Sequence, residues 1–379
     1  MMKTFYLDHA ATTKLNEVVL KDMIPYLSGS YGNPSSLHSL GIQNKKAIND
    51  AKKQIAKVLN CRHDELIFTA SGTEATNLAI KGYALKHKDK KEIITTKIEH
   101  AATLNTVMYL ESEGYVVHYL DVDHQGFIQL SELESLINSN TLLVSIIWGN
   151  NEIGVIQDIK KITQIIHQKG CILHVDAVQM LAHDWIDLEA LNIDMMSFSA
   201  HKIEGPKGIG MLYKKSSIEL IPLIHGGGHE FGLRSGTENV ANIVGFAKAL
   251  SLLSENYDQK RKQLNLIATQ FLEALKQEIP FILNGPVVGK DRIPGLLSLS
   301  FKGISGLSFQ FKLNQLGIYV STGSACHSNE IGVSHVISAI KCTNPNGVIR
   351  ISFGLDFDLG NLPYIILCFK QVYNQLIEA

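Results

Sequence analysis

The chain has 379 residues, 45% hydrophobic and 19% charged, with 35 Lys and Arg against 36 Asp and Glu. This composition excludes a disordered chain, a collagen-like repeat and a disulfide-stapled mini-protein. A net charge of −1 gives no bulk electrostatic pull towards nucleic acid or membrane.

The N-terminal MMKTFYLDHAATT has no apolar signal core. The longest apolar runs, such as Leu142–Trp148, fall far short of the ~20 residues that span a bilayer. The five cysteines, Cys61, Cys171, Cys326, Cys342 and Cys368, form no CxxC pair. An odd, sparse set predicts a reducing compartment, so a cytoplasmic protein without membrane or nucleic-acid partners is expected. No Cys/His cluster has metal-ligand spacing, and no metal is expected.

In chain order, strands are predicted at Leu66–Thr69, Glu92–Thr95, Val116–Leu120, Leu142–Ile147, Ile172–Val175, Met195–Ser199 and Ile209–Tyr213. Between several of them lie helical spacings, such as Ala47, Ile48, Ala51, Ile55 and Val58, or Ile159, Ile162, Ile165 and Ile166. The alternation predicts an α/β fold with a mostly parallel sheet covered by helices. A short turn-rich link makes an antiparallel last pair feasible. After Gly236 the texture changes. One long helix is predicted from Asn239 to about Glu278, then strands at Leu296–Phe301 and Val348–Phe353, giving a smaller α+β domain.

Seven local patterns carry chemistry. Ser199-Ala200-His201-Lys202 ends a predicted strand before a Gly/Pro turn; such a lysine is held, and a held lysine can form a Schiff base. Asp176, in His174-Val175-Asp176-Ala177, also ends a strand. It suits the pyridine nitrogen of pyridoxal phosphate, or simply caps a helix. Ser71-Gly72-Thr73-Glu74 opens a helix, either as an anion cradle or as a plain N-cap. His100 follows a strand and suits ring stacking and proton transfer, or a structural role. Asn150-Asn151-Glu152-Ile153-Gly154 is a polar turn. Cys326 lies in Ser324-Ala325-Cys326-His327-Ser328, an expected exposed loop, unlike the other cysteines, which sit in apolar or helical stretches. Arg350 inside VIRISF needs a partner, either a substrate carboxylate or an internal carboxylate.

Taken in this order, the chain resembles the cysteine desulfurase family, the NifS/IscS-like enzymes of aminotransferase fold type I. The resemblance rests on YLDHAATT (6–13), YGNPSSLHSLG (31–41), TTKIEH (95–100), NNEIGVIQDI (150–159), HVDAVQ (174–179), SFSAHKIEGPKGIG (197–210), HGGGHEFGLRSGTENV (225–240) and STGSACHS (321–328). The stretch from Cys326 to Val336 resembles the long active-site loop of group I members.

The resemblance implies a pyridoxal-phosphate transferase fold, with a large domain at 14–257 and a small domain of 1–13 and 258–379. It implies that Lys202 is the Schiff-base lysine and general base. Asp176 partners the pyridine nitrogen, Gln179 and Asn151 bond the ring hydroxyl, and His100 stacks on the ring and serves catalytically in proton transfer. Thr73, Ser199 and His201 hold the phosphate, with Thr237 contributed across a homodimer interface. Arg350 pairs the substrate carboxylate, with Asn33 and Asn151 nearby. Cys326 takes sulfur from L-cysteine as a persulfide, L-alanine leaves, and an acceptor protein receives the sulfur. That acceptor would serve iron–sulfur assembly, tRNA or cofactor thiolation, or DNA phosphorothioation. Housekeeping members often extend further at the C-terminus, so the stop at Ala379 favours a dedicated pathway.

Three departures bear on the pocket: the Gly position in Ala70-Ser71-Gly72-Thr73-Glu74, Phe231 where a basic residue is common, and Trp148-Gly149 before the Asn pair. Two alternatives remain. One is an aminotransferase or selenocysteine lyase on the same scaffold. The other is a non-catalytic adaptor that keeps the fold.

Overall fold

The computed structural model describes residues 3–323 and 332–378. It begins with β1 (Phe5–Tyr6), α1 (Glu17–Ile24), α2 (Ser39–Leu59), β2 (Leu66–Thr69), α3 (Gly72–Lys86), β3 (Glu92–Thr96), α4 (Ala101–Ser112) and β4 (Val116–Leu120). Next come α5 (Leu130–Leu136), β5 (Thr141–Ile147), α6 (Ile159–Gln168), β6 (Ile172–Asp176), α7 (Leu188–Leu191), β7 (Met195–Ser199) and β8 (Gly210–Lys214). The remainder is α8 (Val240–Ser254), α9 (Tyr257–Lys276), β9 (Ile282–Leu283), β10 (Leu296–Ser300), α10 (Gly306–Gln315), β11 (Ile318–Tyr319), α11 (His335–Ala339), β12 (Val348–Ser352) and α12 (Leu362–Ile377).

Seven strands make one sheet in the order β2-β8-β7-β6-β5-β3-β4. The neighbours from β4 to β7 are parallel, whereas β8 pairs antiparallel with both β7 and β2. Every residue of β5 is buried, the pattern of a strand covered on both faces. One face packs Val144, Ile146, Val175 and Phe198 against α2, α6 and α8. The other packs Leu143, Met195 and Leu212 against Ala75, Leu78, Val107 and Leu110 of α3 and α4.

The later part of the chain builds a second core. β9, β10 and β12 form an antiparallel sheet, and β1 pairs parallel with β11. Phe301, Phe309, Phe369 and Phe271 stack edge-to-face between the helices, with centroids 4.9–5.5 Å apart. Ile98, Ile147, Ile153 and Val155 at the end of the large sheet meet Val336, Ile337, Ile340 and Val348, so the two parts share a seam.

The single helix expected from Asn239 to Glu278 is instead α8 and α9, broken at Glu255-Asn256. Asn256 leaves the helical region at φ −149°, ψ 39°. Phe246 and Leu250 of α8 belong to the first core, and Phe271 and Leu275 of α9 to the second. No single straight helix serves both. The apolar period runs on through the break, and neither Gly nor Pro marks it.

At the carboxyl ends of β3, β5, β6 and β7 the chain leaves the sheet in loops that begin with Lys97, Trp148, Ala177 and Ala200. This edge of an α/β sheet is where a ligand crevice forms.

Candidate active site

The turn after β7 presents Lys202 to a cleft at this edge. Lys202 Nζ donates to the main-chain oxygens of Ala10 and Ala11, at 2.6 and 2.7 Å. The amine is thus anchored by the segment that follows β1. His201 binds the same segment: its carbonyl accepts from Thr13 N, and its Nδ1 lies 3.1 Å from Thr12 Oγ1. Burial, with Lys202 and Lys207 nearby, pushes the His201 pKa down to about 4, so its ring is neutral at neutral pH.

Asp176 is the last residue of β6 and only 5% exposed. Burial raises its pKa, while His100, the Val178 N–H and Lys202 act in the other direction. The Val178 N–H holds Oδ1 at 3.0 Å. A buried carboxylate aimed into a cleft suits a cationic N–H.

Across the cleft α3 begins. Ser71 Oγ accepts from Glu74 N, and Glu74 Oε2 accepts from Ala70 N, a reciprocal cap. Arg234 holds the Glu74 carboxylate at 2.9 Å. The N–H groups of Gly72 and Thr73 have no partner among the described residues. The turn is thus an N-cap that also leaves two N–H groups open towards the cleft. Gly210 is required here, because a Cβ on it would meet Ser71 C at 2.2 Å and Gly72 N at 2.6 Å.

His100 caps α4, its Nδ1 accepting from Ala102 N at 3.1 Å. That bond places the proton of a neutral ring on Nε2. Beneath it Glu99 is fully buried. Its Oε1 accepts from Thr96 Oγ1 and Ile147 N, and Oε2 has no partner among the described residues. Burial pushes its pKa up to about 8 from an ordinary 4.5. The folded chain holds this proton more tightly than the unfolded one. The associated stability is complete below pH 4.5 and is lost as pH rises through about 8. Glu99→Gln is expected to flatten the fall in stability between about pH 5 and 8 in urea melts. An unchanged slope would refute this reading of Glu99.

Arg350, in the middle of β12, is 3% exposed. Nη1 donates to Asn151 O at 3.0 Å and Nη2 to Asp8 Oδ1 at 2.8 Å, while Nε has no partner among the described residues. Both readings of Arg350 thus have support: an internal carboxylate holds one side of the fork, and one donor stays unused.

The cleft brings together Thr73, His100, Asn151, Asp176, Gln179, Ser199, His201, Lys202 and Arg350. Gln179 Nε2 donates to Ala10 O at 2.8 Å. Two expected residues lie elsewhere. Asn33 caps a turn through Ser35 N and does not line the cleft. Thr237 is exposed on a loop outside it. Cys326 lies outside the described residues. Of the others, Cys171 and Cys368 are buried, and burial pushes the Cys61 and Cys171 pKa values up to about 12 and about 11.

Asp8, Ala10, Ala11, Glu99 and Gly323 lie within the sequence motifs but carried no role of their own from sequence. The backbone carbonyls of Ala10 and Ala11 act irrespective of side chain, so no residue type could mark them. Asp8 sits 342 positions from its partner. Of the departures, Trp148 is buried and its N–H donates to Asp176 O. Phe231 takes a left-handed φ of 58° and lays its ring 4.5 Å from the buried Lys52 Nζ, outside the cleft.

The donor set fits pyridoxal phosphate. An amine, a buried carboxylate, two open N–H groups beside hydroxyls at a helix N-terminus, and a guanidinium match its aldehyde, ring nitrogen, phosphate and the substrate carboxylate.

A family model described as "Aminotransferase class-V" matches residues 5–362. The "Cysteine desulfurase IscS" of Clostridium botulinum (strain Hall) is 42% identical over 382 residues, covering 100% of this chain and 96% of that protein. A solved "NIFS-LIKE PROTEIN" superposes with a TM-score of 0.93 at 37% identity, covering 99% of this chain and 100% of that one. A structure titled "SspA in complex with cysteine" matches with a TM-score of 0.81 at 35% identity, over 93% of this chain and 99% of that one.

Proposed function

The chain belongs to the class-V aminotransferase family and is a pyridoxal-phosphate-dependent cysteine desulfurase, and from that premise we propose how its residues share the work. One observation carries the assignment: an amine, a buried carboxylate, an open helix N-terminus and a buried guanidinium line a single cleft. The neighbour titled as a complex with cysteine supports the substrate.

Asp176 would keep the cofactor's ring nitrogen protonated. Thr73, Ser199 and His201 would hold its phosphate with the Gly72 and Thr73 N–H groups. Gln179 and Asn151 would take the ring hydroxyl, and His100 would lie over the ring. When bound, the cofactor supplies an electron sink for the substrate α-carbon. Lys202 Nζ would anchor the cofactor through its aldehyde and would take and return the α-proton. Arg350, with Asn151 and Asn33 as secondary contacts, orients the substrate carboxylate. Cys326 Sγ bonds to the substrate sulfur as the C–S bond breaks, leaving a persulfide and L-alanine.

A homodimer belongs to the same proposal. Thr237 faces solvent rather than its own cleft, and Leu27, Tyr31 and Leu37 expose apolar side chains. The separate aromatic core supports the division into 14–257 and the joined 1–13 and 258–379. Sparse cysteines support a cytoplasmic location, and among the described residues no helix is long and apolar enough to cross a membrane. The persulfide passes to an acceptor protein of iron–sulfur assembly, of tRNA or cofactor thiolation, or of DNA phosphorothioation.

The test is L-cysteine with the cofactor-loaded protein. Stoichiometric alanine and a persulfide mapped to Cys326 are expected; pyruvate without persulfide would favour an aminotransferase. Arg350→Gln removes a charge-assisted contact with the substrate carboxylate. It is expected to raise KM by roughly 10- to 100-fold with a smaller effect on kcat. An unchanged KM would leave Arg350 as an internal partner of Asp8 alone.

A further inference from the structure

Glu152 is an acidic residue of the Asn150–Gly154 turn to which no step above gives a role. It is 6% exposed. Its backbone is fixed, with N–H groups of Glu152 and Ile153 both donating to Asn150 Oδ1 at 2.9 Å. Its carboxylate reaches out of the turn to two other parts of the chain.

The first is the start of α11. Ser334 Oγ donates to Glu152 Oε2 at 2.6 Å and itself accepts from Val336 N at 3.1 Å. The second is Gly323, where a Cβ would lie 3.1 Å from the same Oε2. Gly323 also has a φ of +85°, and its N–H donates to Ser321 Oγ. Ser321 in turn exchanges both main-chain hydrogen bonds with Arg350, and the carbonyl of Asn151, next to Glu152, accepts from Arg350 Nη1. One carboxylate oxygen therefore bonds the Asn150 turn to the cap of α11 and lies close beside Gly323. Cys326 comes three positions after Gly323 and eight before Ser334 in the sequence.

We propose that Glu152 is a positioning residue for sulfur transfer. By gripping Ser334 and abutting Gly323, it fixes both flanks of the segment that carries Cys326 relative to Arg350. This rests on the reading of Cys326 as the sulfur acceptor. A short hydrogen bond to a buried acceptor suits the task, because its direction is fixed and its loss leaves that acceptor unsatisfied.

The experiment compares Glu152→Ala, Glu152→Gln, Ser334→Ala and the Glu152→Ala/Ser334→Ala double variant, all loaded with cofactor. Glu152→Ala and Ser334→Ala are each expected to lower kcat for alanine release by roughly 10- to 100-fold. KM for L-cysteine should stay within about twofold. The double variant should be no worse than the weaker single one, because both substitutions remove the same link. Glu152→Gln, whose amide oxygen still accepts from Ser334, should retain most of the activity. Hydrogen exchange, with and without cofactor, should accelerate at Gly323 and Val336 together in the Ala variants and not in Glu152→Gln.

Additive losses, a rise in KM equal to the fall in kcat, or Glu152→Gln as poor as Glu152→Ala would overturn the proposal. If Glu152→Ala fails to fold, Ser334→Ala and Glu152→Gln decide the matter. If the unaltered enzyme makes no persulfide on Cys326, the reading of that cysteine fails, whereas the exchange result still judges the link itself.

Discussion

Lys202→Ala is expected to lower alanine release from L-cysteine by on the order of 10⁴-fold. The amine is the only lysine lining the cleft among the described residues, and two main-chain oxygens hold it there. Asp176, Thr73 and Ser199 are untouched by the change, so the variant should still bind the cofactor without a covalent link. Borohydride reduction followed by intact-mass measurement checks this directly. The wild type should carry the cofactor's mass and the variant should not. Added methylamine should restore part of the activity, because it supplies a base without the side chain. Turnover above a tenth of wild type, or a covalent adduct in the variant, would remove Lys202 from its role.

Cys326→Ser should be as damaging to turnover, on the order of 10⁴-fold, for a different reason. A serine hydroxyl is scarcely ionised at neutral pH and does not take sulfur from a thiol. Proton transfer at the substrate α-carbon does not need that thiol. In D₂O, the variant should therefore still exchange the α-hydrogen of L-cysteine, read by proton NMR, while making neither alanine nor persulfide. Lys202→Ala should lose both. Together the pair separates the proton step from the sulfur step. Alanine release at the wild-type rate in Cys326→Ser would remove the sulfur role from that residue.

Much of the fold was legible because buried parallel strands leave a plain trace. Leu142–Ile147 is apolar at every position but Ser145, and Asp176 and Ser199 mark the points where such runs stop. Position on that edge then follows from topology: every parallel strand delivers its last residue to one side of the sheet. Residues tied to a strand end or helix start, such as Asp176, Lys202, His100 and Thr73, were therefore readable. Contacts made by bare backbone were not. Ala10 and Ala11 hold Lys202 through carbonyls that any residue supplies, and strands of two residues, such as Phe5–Tyr6 and Ile318–Tyr319, show no period. The break between α8 and α9 was hidden for the opposite reason, since helical spacing persists across a change of core. Thr237 and Asn33 came from the family pattern alone, and one chain's geometry leaves both outside the cleft.

The pairing of β1 with β11 has a consequence for how the enzyme is made. Phe5 pairs with Ile318, and the residues after β1 go on to hold Lys202 and Arg350. At a synthesis rate of ~5–20 residues per second, roughly 15–60 s separate the emergence of these partners from the ribosome. The seven-stranded sheet is complete by Lys214 and is free to fold during that wait. The β1 segment that anchors Lys202 has no strand partner, and Asp8 has no guanidinium to hold, until β11 and β12 arrive. The anchoring segment and the carboxylate partner of Arg350 thus take their final places only when the last third of the chain has been made.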